Sequence, residues 1–171
     1  YVTGTGIYED GSSLDTSKGS TFVGNTAANG GAIGSYGNVT LYGSTFNENS
    51  ATKDGGAVWS SNTSISLSVN NSTFTNNEAA GNGGAICSLI NATIANSTFE
   101  ENDAVNGGAI YAVGVIDIEG SSFEGNNASN NGGAISTYVK ADSDDTEEEI
   151  EPTLMNITES TFDSNTSVGL G

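Results

Sequence analysis

The chain has 171 residues, 21 Asp plus Glu against 3 Lys plus Arg, no His, and a formal net charge of −18. A surface this acidic repels phosphate backbones and anionic membranes, and Lys18, Lys53 and Lys140 are too few to form a basic patch, so nucleic acid is set aside as a partner, while direct membrane insertion is not expected because no run of about 20 apolar residues could span a bilayer as a helix. Without His there is no ready proton carrier near neutral pH, and the single cysteine, Cys87, allows neither an internal disulfide nor a cysteine-based metal cluster.

Taken in order, the chain opens on Gly4-Thr5-Gly6-Ile7, a degenerate form of a motif that then recurs as Gly30-Gly31-Ala32-Ile33, Gly55-Gly56-Ala57-Val58, Gly83-Gly84-Ala85-Ile86, Gly107-Gly108-Ala109-Ile110 and Gly132-Gly133-Ala134-Ile135. Between these copies stand the phenylalanines Phe22, Phe46, Phe74, Phe99, Phe123 and Phe162, spaced 24, 28, 25, 24 and 39 residues apart. Ser-Thr or Ser-Ser precedes each Phe, and an asparagine follows three residues later: Asn25, Asn49, Asn77, Asn102, Asn126 and Asn165. A third segment, just ahead of each Phe, alternates apolar and polar residues: Val39/Leu41, Leu67/Val69, Ala92/Ile94, Ile116/Ile118 and Met155/Ile157.

Period-two alternation argues for strands, and no apolar residues recur at helical spacing. Three short strands with turns fill a repeat of about 24–25 residues, which is one coil of a right-handed parallel β-helix. The expected architecture is therefore all-β: one β-helix domain over 1–171, three strands per coil, about six to seven coils and roughly 30 Å long. Its expected ladders are structural. Phe22, Phe46, Phe74, Phe99, Phe123 and Phe162 stack inside. Asn25, Asn49, Asn77, Asn102, Asn126 and Asn165 hydrogen-bond coil to coil at a tight corner, where Asn tolerates left-handed backbone. The Gly-Gly pair supplies positive φ or close backbone approach.

The one break in period is an acidic insertion, 141–152, projecting from one side. Its carboxylates read either as a solvated loop or as a calcium site. The spacing of an EF-hand is missing, and no cofactor is otherwise expected. Tyr1 is not a natural start and neither end carries a cap. The chain is thus expected to be a segment of a longer protein or a subunit that stacks end to end on its copies.

Repeated F-x-x-N alternating with G-G-A-[I/V] resembles the repeat pair of chlamydial polymorphic membrane proteins, and similar repeats occur in adhesin-like surface proteins of methanogenic archaea. The resemblance covers nearly the whole chain, and the acidity and scarcity of cysteine lean towards the archaeal type. It implies a pectate-lyase-like β-helix displayed outside the cell and used in adhesion.

Three readings of function follow. The first is an extracellular, cell-surface adhesin, a rigid rod attaching to other cells or surface polysaccharide. The second is a structural subunit of a filament, sheath or surface layer whose copies stack head to tail. The third, remote, is a polysaccharide lyase or hydrolase, for which the absence of Arg and His leaves only turn carboxylates as acid and base; no enzyme is expected. The residue after each motif's Ile or Val varies, suggesting an outward column in which Tyr8, Trp59 and Tyr111 could hold a partner. Alternatively, these rings merely cover the coil. Nine N-x-[S/T] sequons, at Asn38, Asn62, Asn70, Asn71, Asn91, Asn96, Asn127, Asn156 and Asn165, are candidate glycosylation sites.

Overall fold

A computed structural model of the chain describes residues 6–9, 14–16, 18–61, 66–138 and 155–171. Every regular element among them is a β-strand, and every strand pairs in parallel with its equivalent one coil away. Four six-stranded sheets result, so a coil has four sides rather than three, and the stack makes about five turns.

The first sheet carries the end of the glycine motif: Ile7–Glu9, Ile33–Ser35, Val58–Ser60, Ile86–Ser88, Ile110–Ala112 and Ile135–Thr137. The second is the alternating segment, from Leu14–Asp15 through Val39–Tyr42, Leu67–Asn70, Ala92–Ala95 and Ile116–Glu119 to Met155–Thr158. Its Leu67 and Val69 point inward while Ser68 points out, as period-two alternation requires. The third sheet, Thr21–Val23, Thr45–Asn47, Thr73–Thr75, Thr98–Glu100, Ser122–Glu124 and Thr161–Asp163, carries one Phe per strand, buried in all but the last.

The fourth sheet is the one that the three-strand expectation left out. It holds Thr26–Ala27, Ser50–Ala51, Glu78–Ala79, Asp103–Asn106, Asn127–Asn131 and Thr166–Ser167. Several of these strands are only two residues long, and their sole inward apolar group is an alanine such as Ala51, Ala79, Ala104 or Ala128.

The Phe column is continuous. Successive rings from Phe22 to Phe162 stack with centroids 4.6–4.8 Å apart and planes within 2° of parallel. The spacing is that of adjacent strands, so sheet geometry alone sets the stacking distance. Beside it runs the asparagine ladder. Nδ2 of Asn77 donates to Oδ1 of Asn102 (2.9 Å) and to the carbonyl of Phe46 (3.1 Å), and its backbone N–H donates to the same Oδ1 (3.0 Å). The pattern repeats from Asn49 to Asn126, so in these coils the polar atoms of the ladder amide are used.

One expectation about this corner is corrected. The ladder asparagines do not adopt left-handed backbone. The residue before each does: Gly24, Glu48, Asn76, Glu101, Gly125 and Ser164 all have φ between 52° and 63°. The asparagine is selected for its amide alone. A second left-handed corner precedes the Phe strand, at Gly43, Asn71, Asn96, Gly120 and Glu159, and is sealed by a serine ladder in which the Ser72 N–H donates to Ser97 Oγ (3.2 Å).

The two glycines of each motif answer different demands. Gly83 has a φ of 67°, which side chains disfavour. Gly84 has ordinary φ, but a Cβ there would run into the carbonyl oxygens of Gly108 and Asp103 in the next coil.

Candidate binding surface

In the first sheet Val58, Ser60, Ile86 and Ser88 face the core and are fully buried, so the residue between each pair faces outward. Register places Tyr8, Gly34, Trp59, Cys87, Tyr111 and Ser136 in one column, one per coil. Of Tyr8 only the backbone pairing with Gly34 is described. Two residues further on, a second column holds Tyr36, Ser61, Leu89, Val113 and Tyr138. The two columns are complementary. Where the first holds a small residue (Gly34, Cys87, Ser136), the second holds a large one (Tyr36, Leu89, Tyr138), and where the first carries Trp59 or Tyr111 the second holds the smaller Ser61 or Val113.

This staggering lets rings lean across coils. Tyr36 meets Trp59 edge to face, with centroids 5.2 Å apart and planes at 75°. Cys87, although in the outward column, is 1 % exposed. Its thiol pKa is pushed far up, first by burial and then by the nearby charge of Asp54. Burial also raises the Tyr111 phenol, with Cys87, Tyr138 and Asp54 adding to it. Trp59 and Tyr111 remain half-buried, while Tyr36, Leu89 and Tyr138 are exposed. The columns thus form one apolar strip along the rod.

Cys87 should therefore be inert. In the folded chain a thiol reagent at mildly alkaline pH is expected to leave it unlabelled over the time in which the urea-unfolded chain reacts completely. Labelling of both forms at equal rates would mean that the strip does not shield the sulfur.

One flank of the strip is polar and was not singled out in the sequence. The residue before each Gly-Gly is Asn29, Asp54, Asn82, Asn106 or Asn131, and these too form a ladder. The N–H and Nδ2 of Asn82 donate to Asp54 Oδ1 (2.8 and 2.9 Å), and Asn106 Nδ2 donates to Asn82 Oδ1 (2.9 Å). The full motif is [N/D]-G-G-A-[I/V], a signal present in the sequence.

The sequons separate into classes. Asn38, Asn71, Asn91, Asn96, Asn127 and Asn156 are exposed. Asn70 is half-buried, and Asn165 belongs to the corner ladder, with Nδ2 donating to the Phe123 carbonyl (2.9 Å). Asn62 lies outside the described residues, as does the acidic insertion 141–152. Among the described residues no three His, Cys, Asp or Glu side chains converge as a metal site.

Four segments, 43–61, 71–89, 96–113 and 120–138, match the Chlamydia polymorphic membrane protein (Chlamydia_PMP) repeat. Each begins at a left-handed corner, Gly43, Asn71, Asn96 or Gly120, and runs through the Phe strand, the Asn corner, the alanine strand and the glycine motif. The alternating strand of the second sheet joins one repeat to the next. No curated protein and no solved structure matches the chain. Nothing in these comparisons bears on the archaeal surface proteins.

Proposed function

We propose that this chain is part of an extracellular, cell-surface adhesin, a rigid repeat rod whose apolar strip attaches to other cells or to surface polysaccharide. The observation that carries this reading is where the matched repeats end. All four close on strands of the first sheet, so each contributes a fixed inward frame and one or two variable outward residues of the strip. The frame residues all have structural tasks, which leaves the outward positions for recognition. No catalysis and no cofactor is proposed, since the chain has neither Arg nor His to assist a carboxylate. The six exposed sequons are the ones an exporting cell would glycosylate in this reading.

The test is attachment. Beads coated with the chain are expected to be retained on cells or cell-wall material, and the double variant Trp59→Ser/Tyr111→Ser is expected to lose most of that retention with its circular dichroism spectrum unchanged. Equal retention of parent and variant would refute the strip as the contact surface.

A second reading, a structural subunit of a filament, sheath or surface layer, is favoured by one observation. Met155, Ile157 and Phe162, equivalent to buried core residues in the coils below, are 46 %, 37 % and 44 % exposed on the last described coil. They border a concavity of about 420 Å³. In this reading a second copy of the chain covers them. Light scattering separates the readings: fibres growing with concentration support the filament, and monodisperse monomers at high concentration refute it.

A further inference from the structure

We infer that the strip binds a neutral glycan laid along the rod axis, in subsites that recur on every second coil. This rests on the adhesive reading and names its ligand class. The first observation is the stagger of the two columns. Exposed Tyr36, Leu89 and Tyr138 stand on alternate coils, and half-buried Trp59 and Tyr111 stand on the coils between them. Within either column a large group therefore recurs every two strand spacings, roughly 9–10 Å. That rise is close to that of a disaccharide in an extended β-linked chain. The aromatic members of the row offer flat faces to the C–H faces of sugar rings, Leu89 adds an aliphatic contact, and the phenol and indole edges supply hydrogen bonds to hydroxyls.

The frame does not impose this alternation. Inward positions of the same strands show no such alternation: Ile33, Val58, Ile86, Ile110 and Ile135 fill one, and Ser35, Ser60, Ser88, Ala112 and Thr137 fill the other. Only the outward residues alternate. A periodic row of similar subsites suits a periodic polymer, whereas a folded protein partner has no use for a fixed step.

Charge then selects among glycans. Neither column contains a charged residue at any described position, and the chain as a whole carries −18. Uronate, sialylated or phosphorylated chains would be repelled by the surrounding carboxylates with nothing in the strip to pair with them. A neutral chain pays no such penalty, and its ring faces suit an apolar strip.

Trp59 is the only tryptophan, so its fluorescence reports on the strip directly. The intact 171-residue chain is titrated with cellohexaose, mannohexaose and chitohexaose, with cellobiose as the short control and hexagalacturonate as the anionic one. At least one neutral hexamer is expected to shift Trp59 emission saturably, and the matching disaccharide to bind at least about tenfold more weakly. Hexagalacturonate should also be at least about tenfold weaker at low salt, with the gap closing as salt rises. By calorimetry, Tyr111→Ala should weaken the hexamer about tenfold, while Glu100→Gln, on the third sheet, should leave it unchanged.

No response to any neutral hexamer, tighter binding of hexagalacturonate, or equal binding of dimer and hexamer would each overturn the inference. If the hexamers fail but Trp59→Ser/Tyr111→Ser still abolishes cell retention, the adhesive reading stands with a non-glycan partner. If retention is also unaffected, both fall.

Discussion

Asn102→Asp is expected to destabilise the rod by about 3 kcal/mol or more at neutral pH, although it changes one buried atom. In the parent, Asn102 Oδ1 accepts from the N–H and Nδ2 of Asn77 (3.0 and 2.9 Å). Its own Nδ2 donates to Asn126 Oδ1 (2.9 Å) and to the Phe74 carbonyl (3.0 Å). An aspartate keeps the acceptor but replaces the donor with an oxygen facing two others. Two buried acceptors then each lose a donor, Asn126 Oδ1 keeping only the backbone N–H of residue 102, at about 1–3 kcal/mol each, and a charge is left in a site with no cation.

The sign of the pH dependence follows. Burial and repulsion raise the folded-state pKa of the introduced carboxyl above its unfolded value, so the folded variant binds a proton more readily than the unfolded one. The penalty is therefore largest at neutral pH and shrinks as pH falls through the folded-state pKa, because a protonated carboxyl can again donate one bond. Urea unfolding of parent and variant, at neutral pH and near about pH 5, measures it. Asn102→Ala, which introduces no charge, should show a pH-independent loss. A gap between parent and Asn102→Asp under about 1 kcal/mol, or one constant with pH, would mean that the ladder relaxes around the substitution.

The same corner shows how much of the molecule could be read from its sequence. The parallel solenoid was legible because Phe, Asn and Gly-Gly kept register across insertions as different as those after Trp59 and Tyr138. Sheet formation requires such register. The fourth side was missed for a physical reason. A two-residue strand such as Ser50–Ala51 buries one methyl group and leaves no alternation to detect, although the alanine two residues after five of the six ladder asparagines, as in Asn49-Ser50-Ala51, was there to be counted.

The left-handed backbone was assigned one residue late. Asn is the familiar residue for that conformation, yet here Glu48 and Glu101 adopt it and the asparagine beside each does not. The outward column through Trp59 and Tyr111 was visible as variation, but its partner column was not. Cys87 stands in the outward column yet is buried, and sequence spacing carries no such information. Nor did the sequence reveal that Asp54 joins the ladder flanking the strip, since an Asp among asparagines reads as a surface charge until its acceptor geometry is seen.

Phe99→Ala is expected to cost about 3–5 kcal/mol, near the upper end for removal of a core aromatic. Phe99 is fully buried, with its ring between those of Phe74 and Phe123, whose centroids lie 4.8 Å away on either side. The hole left by the ring is hard to close, because main-chain bonds fix the strand spacing and the flanking rings cannot approach each other without breaking them. Phe162→Ala should cost distinctly less. That ring is 44 % exposed and stacks on one neighbour only, Phe123. Because each coil touches only its neighbours, a lesion at mid-stack also weakens communication between the two halves. Urea unfolding of Phe99→Ala should therefore show a broader transition with a reduced m-value, while Phe162→Ala should shift the midpoint and leave the slope unchanged. Equal losses from the two substitutions would mean that the Phe column contributes by side-chain volume alone and that its continuity adds nothing.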